Sequence, residues 1–536
     1  MTAVAARPAS AVLRRDRRRW AWGMAALVAV GWSLLAAVDG EVVNPAGSAQ
    51  FGRFAAAALS PALDAAFLGV LGTAVLVTVA YAVLGTALAL VLGAAGAVLV
   101  ARTTWGRRRL GWAAARGVLA VPRGLHEAVW GLLLVNVLGL DPWVGVLAIG
   151  LPHGAVTAKV FADLLDEVPR GPYEALLAQG SGRAAAALYG LVPEATGGLL
   201  SYAFYRLECA VRSAVVLGLI GAGGLGYQLS LSFASLRWPE VWTAVYALAL
   251  LCLAADVAGR AVRRRVAAAP RRRAGVLSRD PVLTAAVAAA LAGVVWSWWF
   301  LALSPASLVS ARTREQAGYV LGAAWPPAGD GDLLREVVRQ SVVTVQTSVL
   351  AIAVATAGAV LVAGVAARPA GRSGPGRRVA GALVRAALLL LRAVPPPVWA
   401  LVLLFVLLPG VLPGALALGV YTLGVLGRLA AEAVEEADAR PRTALAALGA
   451  RPSGGWLYGV APQVSGPVLA FALYRWEVVV RDTLLVGLLG AGGLGALLAS
   501  RLAAFDWAAV TTVLLATIAL TLAVDLVSDR ARCALR

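Results

Sequence analysis

Residues 189–226 read YGLVPEATGGLLSYAFYRLECAVRSAVVLGLIGAGGLG, and residues 458–495 read YGVAPQVSGPVLAFALYRWEVVVRDTLLVGLLGAGGLG. They are copies of one another at an offset of 269, about half of the 536 residues. The same offset aligns Arg123 with Arg392, Trp130 with Trp399 and Lys159 with Arg428. The chain is an internal duplication. Within each copy the apolar part runs for about 30 residues, far beyond the reach of a strand and long enough to cross a bilayer.

Working outward, further apolar runs fall near 20–38, 66–100, 112–138, 143–165, 189–219 and 239–259. A second set falls near 281–303, 337–366, 379–408, 412–431, 457–488 and 508–527. Each is close to or above the ~20 residues a crossing needs. The pattern predicts an all-α polytopic membrane protein of about twelve transmembrane helices in two six-helix repeats. Six is even, so the repeats are parallel rather than inverted. The expected domains are 1–268 and 269–536, joined by the Arg- and Pro-containing stretch 260–281.

Composition agrees. Hydrophobic residues make up 60% and charged residues 14%, against about 45–50% and about 25% in soluble chains. A soluble enzyme, a disordered chain and a nucleic-acid-binding domain are excluded. The net charge of +19 is explained by where arginine falls. The segments 7–19, 101–116, 260–279, 366–378 and 528–536 hold 26 arginines, against 6 in the loops of the other side. The positive-inside rule then places both termini in the cytoplasm, with no nucleic acid needed as partner. The basic run Arg14–Arg19 precedes an apolar run too long for a cleaved signal, so an uncleaved first helix is expected.

Metal and catalytic chemistry find little support. Cys209, Cys252 and Cys533 have no metal spacing, and His126 and His153 stand alone in the sequence. No catalytic residue and no metal ligand are expected. Gly221-Ala-Gly-Gly-Leu-Gly226 and Gly490-Ala-Gly-Gly-Leu-Gly495 both satisfy G-x-G-x-x-G, yet a dinucleotide fingerprint needs a strand before it. Here close helix packing, and a flexible gate at the outer end of the fifth helix, fit Gly221, Gly223, Gly224 and Gly226 with Gly490, Gly492, Gly493 and Gly495.

Between the fourth and fifth helices the first copy carries Glu174-Ala175, then Gly180, then Pro193. The second carries Thr443-Ala444, then Gly449, then Pro462. The Gly-to-Pro spacing is 13 in both. A short helix, a glycine break and a proline at the next helix start would form a rigid knob. These loops, 170–186 and 439–455, are expected in the cytoplasm, where such a knob would dock in a groove of a soluble partner.

Glu174, Ala175, Gly180 and Pro193 resemble the coupling loop of ABC importer permeases. The resemblance implies docking to two cytoplasmic ATPase subunits, with ATP and Mg bound on those partners and no cofactor on this chain. It also implies an extracytoplasmic solute-binding protein, since the outer loops 39–65 and 304–336 are short. Thr443 replaces the Glu in the second copy, which leaves open whether the two docking sites are equivalent. Arg123, Glu127, Ala128, Val129 and Trp130, with the tract Arg212–Gly226, resemble the phosphonate-uptake branch of these permeases. The methionine-uptake branch shares part of the glycine tract. Pro396 stands where the first half has Glu127. A phosphonate, phosphate or phosphite substrate is what this resemblance implies, and an amino acid such as methionine is the alternative.

Charges inside the membrane are costly and mark substrate routes. The fifth helix carries Arg206, Glu208 and Arg212, and its copy Arg475, Glu477, Arg481 and Asp482. Glu208 with Arg212, and Glu477 with Arg481, have the favourable i,i+4 order and are expected to pair and pin the helix. Arg206 and Arg475 lack so obvious a partner. With the pairs beside them they would line an anion route, because guanidinium suits phosphate-like oxyanions. Lys159 and Arg428 lie near the inner interface as anchors. No G-x-x-x-x-G-K-[ST] is present, so the chain supplies no Walker-type ATP site. The competing class is a twelve-helix secondary transporter driven by an ion gradient, with Glu208 or Glu477 as the coupling carboxylate. An intramembrane enzyme lacks any nucleophile–base pair to support it.

Overall fold

A computed structural model describes residues 9–38, 41–102, 109–268, 280–368 and 374–535. Half of the expected link, 269–279, lies outside the described residues, as do parts of the Arg-rich segments 7–19, 101–116, 366–378 and 528–536. All regular secondary structure among the described residues is helical, with one isolated antiparallel bridge between Val43 and Leu407 and no strand.

The first half forms α1 (Ala9–Ala37), α2 (Ser48–Ala57), α3 (Ala65–Val100), α4 (Arg109–Gly124), α5 (Glu127–Leu138) and α6 (Trp143–Glu167). It continues with α7 (Gly171–Ala178), α8 (Arg183–Gly190), α9 (Val192–Leu217), α10 (Gly224–Ala234) and α11 (Trp238–Ala268). The second half forms α12 (Pro281–Phe300), α13 (Pro305–Leu308), α14 (Ala311–Ala324), α15 (Gly331–Ala366), α16 (Pro375–Ala393) and α17 (Pro396–Val406). Then come α18 (Val411–Glu436), α19 (Arg440–Ala447), α20 (Pro452–Gly459), α21 (Ala461–Val486), α22 (Gly493–Ala503) and α23 (Trp507–Leu535). Among the described residues eight helices are long and apolar enough to cross a membrane, and four bent pairs bring the crossings to as many as twelve. The chain is a multi-pass membrane protein.

The third span of each half differs from the expected single helix. The run 112–138 bends by 81° between α4 and α5, and 379–408 bends by 95° between α16 and α17. In the second half the cause is Pro395-Pro396-Pro397: proline lacks the N–H and holds the residue before it extended. In the first half Leu125 and His126 break the helix, and His126 Nδ1 caps α5 by accepting from Ala128 N–H at 3.2 Å. Trp130 Nε1 donates to Pro122 O and Trp399 Nε1 to Leu391 O, both at 3.3 Å. The duplicated tryptophans thus satisfy a carbonyl that each elbow frees.

Each elbow still makes one crossing. Gly85 meets Ile149, Gly93 meets Thr157 and Gly96 meets Ala158, so α3 and α6 run parallel. Likewise Gly414 meets Thr347, Gly419 meets Ala351 and Gly427 meets Val362 between α15 and α18. Two parallel neighbours require the chain between them to return across the membrane. In lipid, where apolar surface gains nothing by leaving a solvent of the same kind, such small-residue contacts supply the packing energy.

Two compact units result, one of residues 53–323 and the other of residues 1–52 with 324–536. We name them the N unit and the C unit. The expected division at 268/269 separates the sequence copies; the packing units exchange the first helix of each. Ala37 of α1 is buried with Leu350, Ala351, Ala400 and Ala415 of the second copy. Asn44 N–H donates to Val406 O at 2.7 Å in the same unit. Within the N unit, Trp298 of α12 packs edge-on against Trp143 at 5.7 Å, and Trp143 Nε1 donates to Ser304 O at 2.9 Å.

Candidate functional site

After the fourth span each copy builds a pair of short helices. α7 ends in a Schellman turn: Ser181 N–H donates to Leu176 O (3.1 Å) and Gly180 N–H to Leu177 O (3.0 Å). Gly180 has φ +84°, in the left-handed region that only glycine enters freely. α19 ends the same way, with Ala450 N–H to Leu445 O and Gly449 N–H to Ala446 O, both at 3.0 Å, and Gly449 at φ +79°. Pro193 and Pro462 sit in the first turns of α9 and α21, where an absent N–H is no loss. Glu174 and Ala175 are exposed on α7, as are Thr443 and Ala444 on α19.

Sequence reading missed Gly190 and Gly459. A Cβ at Gly190 would lie 2.8 Å from Tyr173 N, and one at Gly459 3.0 Å from Arg442 N. The two short helices of each knob therefore touch backbone to backbone. The signal was available, since each glycine stands ten residues after Gly180 or Gly449. The interiors differ. Tyr173 is buried with Ala186 and Leu191 in a small core of the first knob. Arg442 occupies that position in the second and is exposed. There Gln463 Nε2 donates to Asp438 O (3.1 Å) and Gly459 O (2.6 Å), while its Oε1 accepts from Asp438 N–H (3.0 Å).

On α9, Glu208 lies 3.5 Å from Arg212, the spacing expected from the sequence, and 3.6 Å from Arg263 of α11, which sequence reading did not foresee. On α21 the expected Glu477–Arg481 side-chain pair is replaced. Glu477 pairs with Arg532 of α23 at 2.7 Å, and Arg481 Nε donates to the Glu477 backbone carbonyl at 3.2 Å. The i,i+4 rule sees one helix; the last helix of the unit brought a closer cation. Arg206 is buried, with its guanidinium 5.9 Å from the centre of the Tyr202 ring. Arg475 lies 5.8 Å from the Tyr421 ring. Arg206 Nε, and Arg475 Nε and Nη2, are buried and make no hydrogen bond. An anion with several acceptor lone pairs is the natural complement of such donors.

The two histidines do not stand alone as expected. Ser213 Oγ donates to Glu127 Oε1 at 2.6 Å and lies 3.4 Å from His153 Nε2. His126 Nδ1 is 3.5 Å from Glu127 Oε2. Arg206 belongs to the same electrostatic neighbourhood. Residues from α5, α6 and α9 converge here, too far apart in sequence to be seen as a set. The second copy places Pro396, Thr422 and Asp482 at the positions of Glu127, His153 and Ser213. Among the described residues no group of three or more His, Cys, Asp or Glu could hold a metal ion.

At the glycine tracts the helix passes through a wide turn, Gly218–Ala222 and Gly487–Ala491, and then bends. Gly221, Gly223 and Gly224 have φ of +101°, +90° and +77°; Gly490, Gly492 and Gly493 have +104°, +79° and +72°. A Cβ at Gly226 would strike Val215 O, and one at Gly495 would strike Leu484 O. The following amide is tied down in both copies: Leu225 N–H donates to Thr78 Oγ1 (2.8 Å) and Leu494 N–H to Thr344 Oγ1 (2.9 Å). No strand precedes either tract, so neither is a dinucleotide loop.

The comparisons with known proteins agree with this architecture. The family model of the binding-protein-dependent transport system inner membrane component matches residues 93–268 and again 359–535. The phosphate-import permease protein PhnE of Mycolicibacterium smegmatis is 30% identical over 395 residues, covering 72% of this chain and 71% of that protein. The phosphite transport system permease protein PtxC of Stutzerimonas stutzeri is 33% identical over 232 residues, covering 43% of this chain and 82% of that protein. No solved structure matches. With two family matches, one in each copy, the chain belongs to the binding-protein-dependent transport system inner membrane components, and it is a transport permease rather than an enzyme.

Proposed function

We propose that the chain is the fused transmembrane permease of an ABC importer for a phosphorus oxyanion: phosphonate, phosphate or phosphite. The observation that carries the reading is the duplicated knob. Two loops of different sequence share Gly180/Gly449, Gly190/Gly459 and Pro193/Pro462 and fold to one backbone. A shape kept in two copies while its interior changes is a shape that something outside the copy reads. In this proposal each knob docks on a separate ATPase subunit that holds ATP and Mg, and a separate binding protein delivers solute on the far side. The names of the relatives, phosphate import and phosphite transport, support the substrate class.

Charge and packing together support the orientation we propose. Within the N unit, α9 runs antiparallel to α6, since Gly198 meets Leu164 and Ser213 approaches His153. The knob lies at the α6 C-terminal end, on the side of Val100 and Trp112, whose indole donates to Val100 O at 3.0 Å. Arginine crowds that side, so it would be cytoplasmic, and both termini with it. The unpartnered nitrogens of Arg206 and Arg475 would receive the oxyanion in passage. The bent glycine tracts would act as the outer gate, and knob movement would be transmitted along α9 and α21, which begin at the knobs.

The test is uptake of labelled phosphate, phosphite and methylphosphonate by cells with and without the gene, with and without a protonophore under maintained ATP. Gene-dependent uptake that survives the protonophore is expected. Uptake lost with the proton gradient would instead establish the ion-driven secondary transporter. Uptake of methionine with none of the three anions would remove the substrate class.

A further inference from the structure

We infer that the N unit carries a phosphate-type oxyanion site toward the knob end of α6, lined by residues other than Arg206. A cavity of about 150 Å³ is lined there by Val100, Arg116, Leu119, Arg123, Ala155 and Lys159. Three of the six are cations, brought together from α4 and α6, and the other three form an apolar wall. An apolar wall lowers the local dielectric and strengthens any charge pairing beside it. Arg116 is held in place before any ligand arrives. Its Nη2 donates to Asp163 at 2.7 Å, and its guanidinium stands 4.5 Å from the Trp112 ring centre. Its Nε is buried and has no hydrogen-bond partner. A fixed guanidinium with an unspent N–H, next to an ammonium and a second guanidinium, is a donor set for a tetrahedral oxyanion.

The second copy arranges the corresponding residues differently. Arg385, Arg392 and Arg428 stand at the positions of Arg116, Arg123 and Lys159. Arg385 Nη1 donates to Ala366 O at 2.8 Å, and Arg428 Nε to Glu432 at 2.9 Å. Gly424 replaces Ala155, and a Cβ there would lie 2.7 Å from Arg392 N. In the C unit, then, α16 presses onto α18 and these cations turn to protein partners. In the N unit Arg116 also has a protein partner, Asp163, yet all three cations line a cavity.

The ligand chemistry is a phosphate group. It has two sources: free inorganic phosphate from the cytoplasm, or the headgroup of an anionic phospholipid. Either would link the elbow helix α4 to α6, the helix that leads into the first knob, and would do so in one unit only. The site does not rest on the direction or energy source of transport.

The experiment uses the full-length chain purified into nanodiscs of phosphatidylcholine alone, with labelled inorganic phosphate measured by equilibrium dialysis. In parallel, native mass spectrometry reads phosphatidylglycerol retained by the chain purified from membranes that contain it. The test variants are Arg116→Gln with Lys159→Gln, and Ala155→Leu, which fills the cavity and leaves every charge. The matched control is Arg385→Gln with Arg428→Gln. Saturable phosphate binding weakened at least about tenfold by both test variants, but not by the control, supports the free oxyanion; loss of one charge-assisted hydrogen bond is worth about that much. Retained phosphatidylglycerol lost in both test variants, with no phosphate binding, supports the headgroup. Test variants that melt normally and keep both ligands as well as the control does would overturn the site, as would an unmodified chain that holds neither ligand. Arg206→Gln with Arg475→Gln should leave this binding intact even where it abolishes uptake, which separates this site from the transport route.

Discussion

In the first knob Tyr173 is buried against Ala186 and Leu191, whereas in the second Arg442 stands at that position in solvent and the Gln463 side-chain amide bridges Asp438 and Gly459. One backbone is held by an apolar core in one copy and by an amide bridge in the other. The fifth helices differ in the same way. Glu208 has two arginines near it, on its own helix and on α11, while Glu477 takes its cation from α23. What the copies share is set by backbone geometry: left-handed glycines, glycines at close crossings and prolines in first turns. What they do not share is how the space around that backbone is filled, and packing permits more than one answer there.

Four measurements would break or sharpen this comparison. The largest effect on uptake is expected at the guanidiniums. Each of Arg206→Gln and Arg475→Gln should lower uptake about ten- to a hundredfold, because a hydrogen bond to a charged group is worth about 1.5–3 kcal/mol, and the double variant should abolish it. Normal uptake by the double variant would remove the anion route. Next come the carboxylates. Glu208→Gln leaves two arginines without their acid and should cost about 3–5 kcal/mol in thermal unfolding of the purified chain. Glu477→Gln should cost less, because Arg532 keeps Asp529 as a partner. Equal losses would mean that the second arginine at Glu208 contributes nothing.

The knobs come third. Tyr173→Ala empties a small core and should cost about 3 kcal/mol locally, at the lower end for a buried aromatic. Arg442→Ala should change stability by less than about 0.5 kcal/mol, as for other exposed positions. Limited proteolysis at the loops reads the difference, and equal cleavage would mean that Tyr173 does not hold the first knob. The smallest and most even effect is expected at the turns. Gly180→Ala and Gly449→Ala each place a Cβ in left-handed backbone, at about 1–2 kcal/mol. The two should match within error; a clear inequality in protease sensitivity would show that the knobs do not share one turn geometry.

Much of this was legible in the sequence. The duplication, the apolar runs and the Gly-to-Pro spacing are local patterns, and apart from the bent third span of each half they map onto helices and turns where expected. The elbows were half legible. Pro395-Pro396-Pro397 announced a break in the second half, but His126 gave no such sign in the first, where the bend appears only with α5 capped by the imidazole. Glu127, Ser213 and His153 were invisible as a group. Each is an ordinary residue on its own helix, and the sequence distances between them, 86 and 60 residues, carry no periodicity.

The sequence by itself determined that this chain crosses a membrane many times, that it is built twice, and where each knob turns, because hydropathy, repetition and backbone conformation are properties of contiguous residues. Only the tertiary structure decided which helix joins which core. α1 packs with the second copy and α12 with the first, and Glu477 prefers Arg532 to its own neighbour on the helix. The physical reason is that lipid satisfies every apolar face equally well, so hydrophobicity fixes which segments are buried in the bilayer but not their neighbours. That choice falls to close packing of small residues and to the pairing of costly charges across helices.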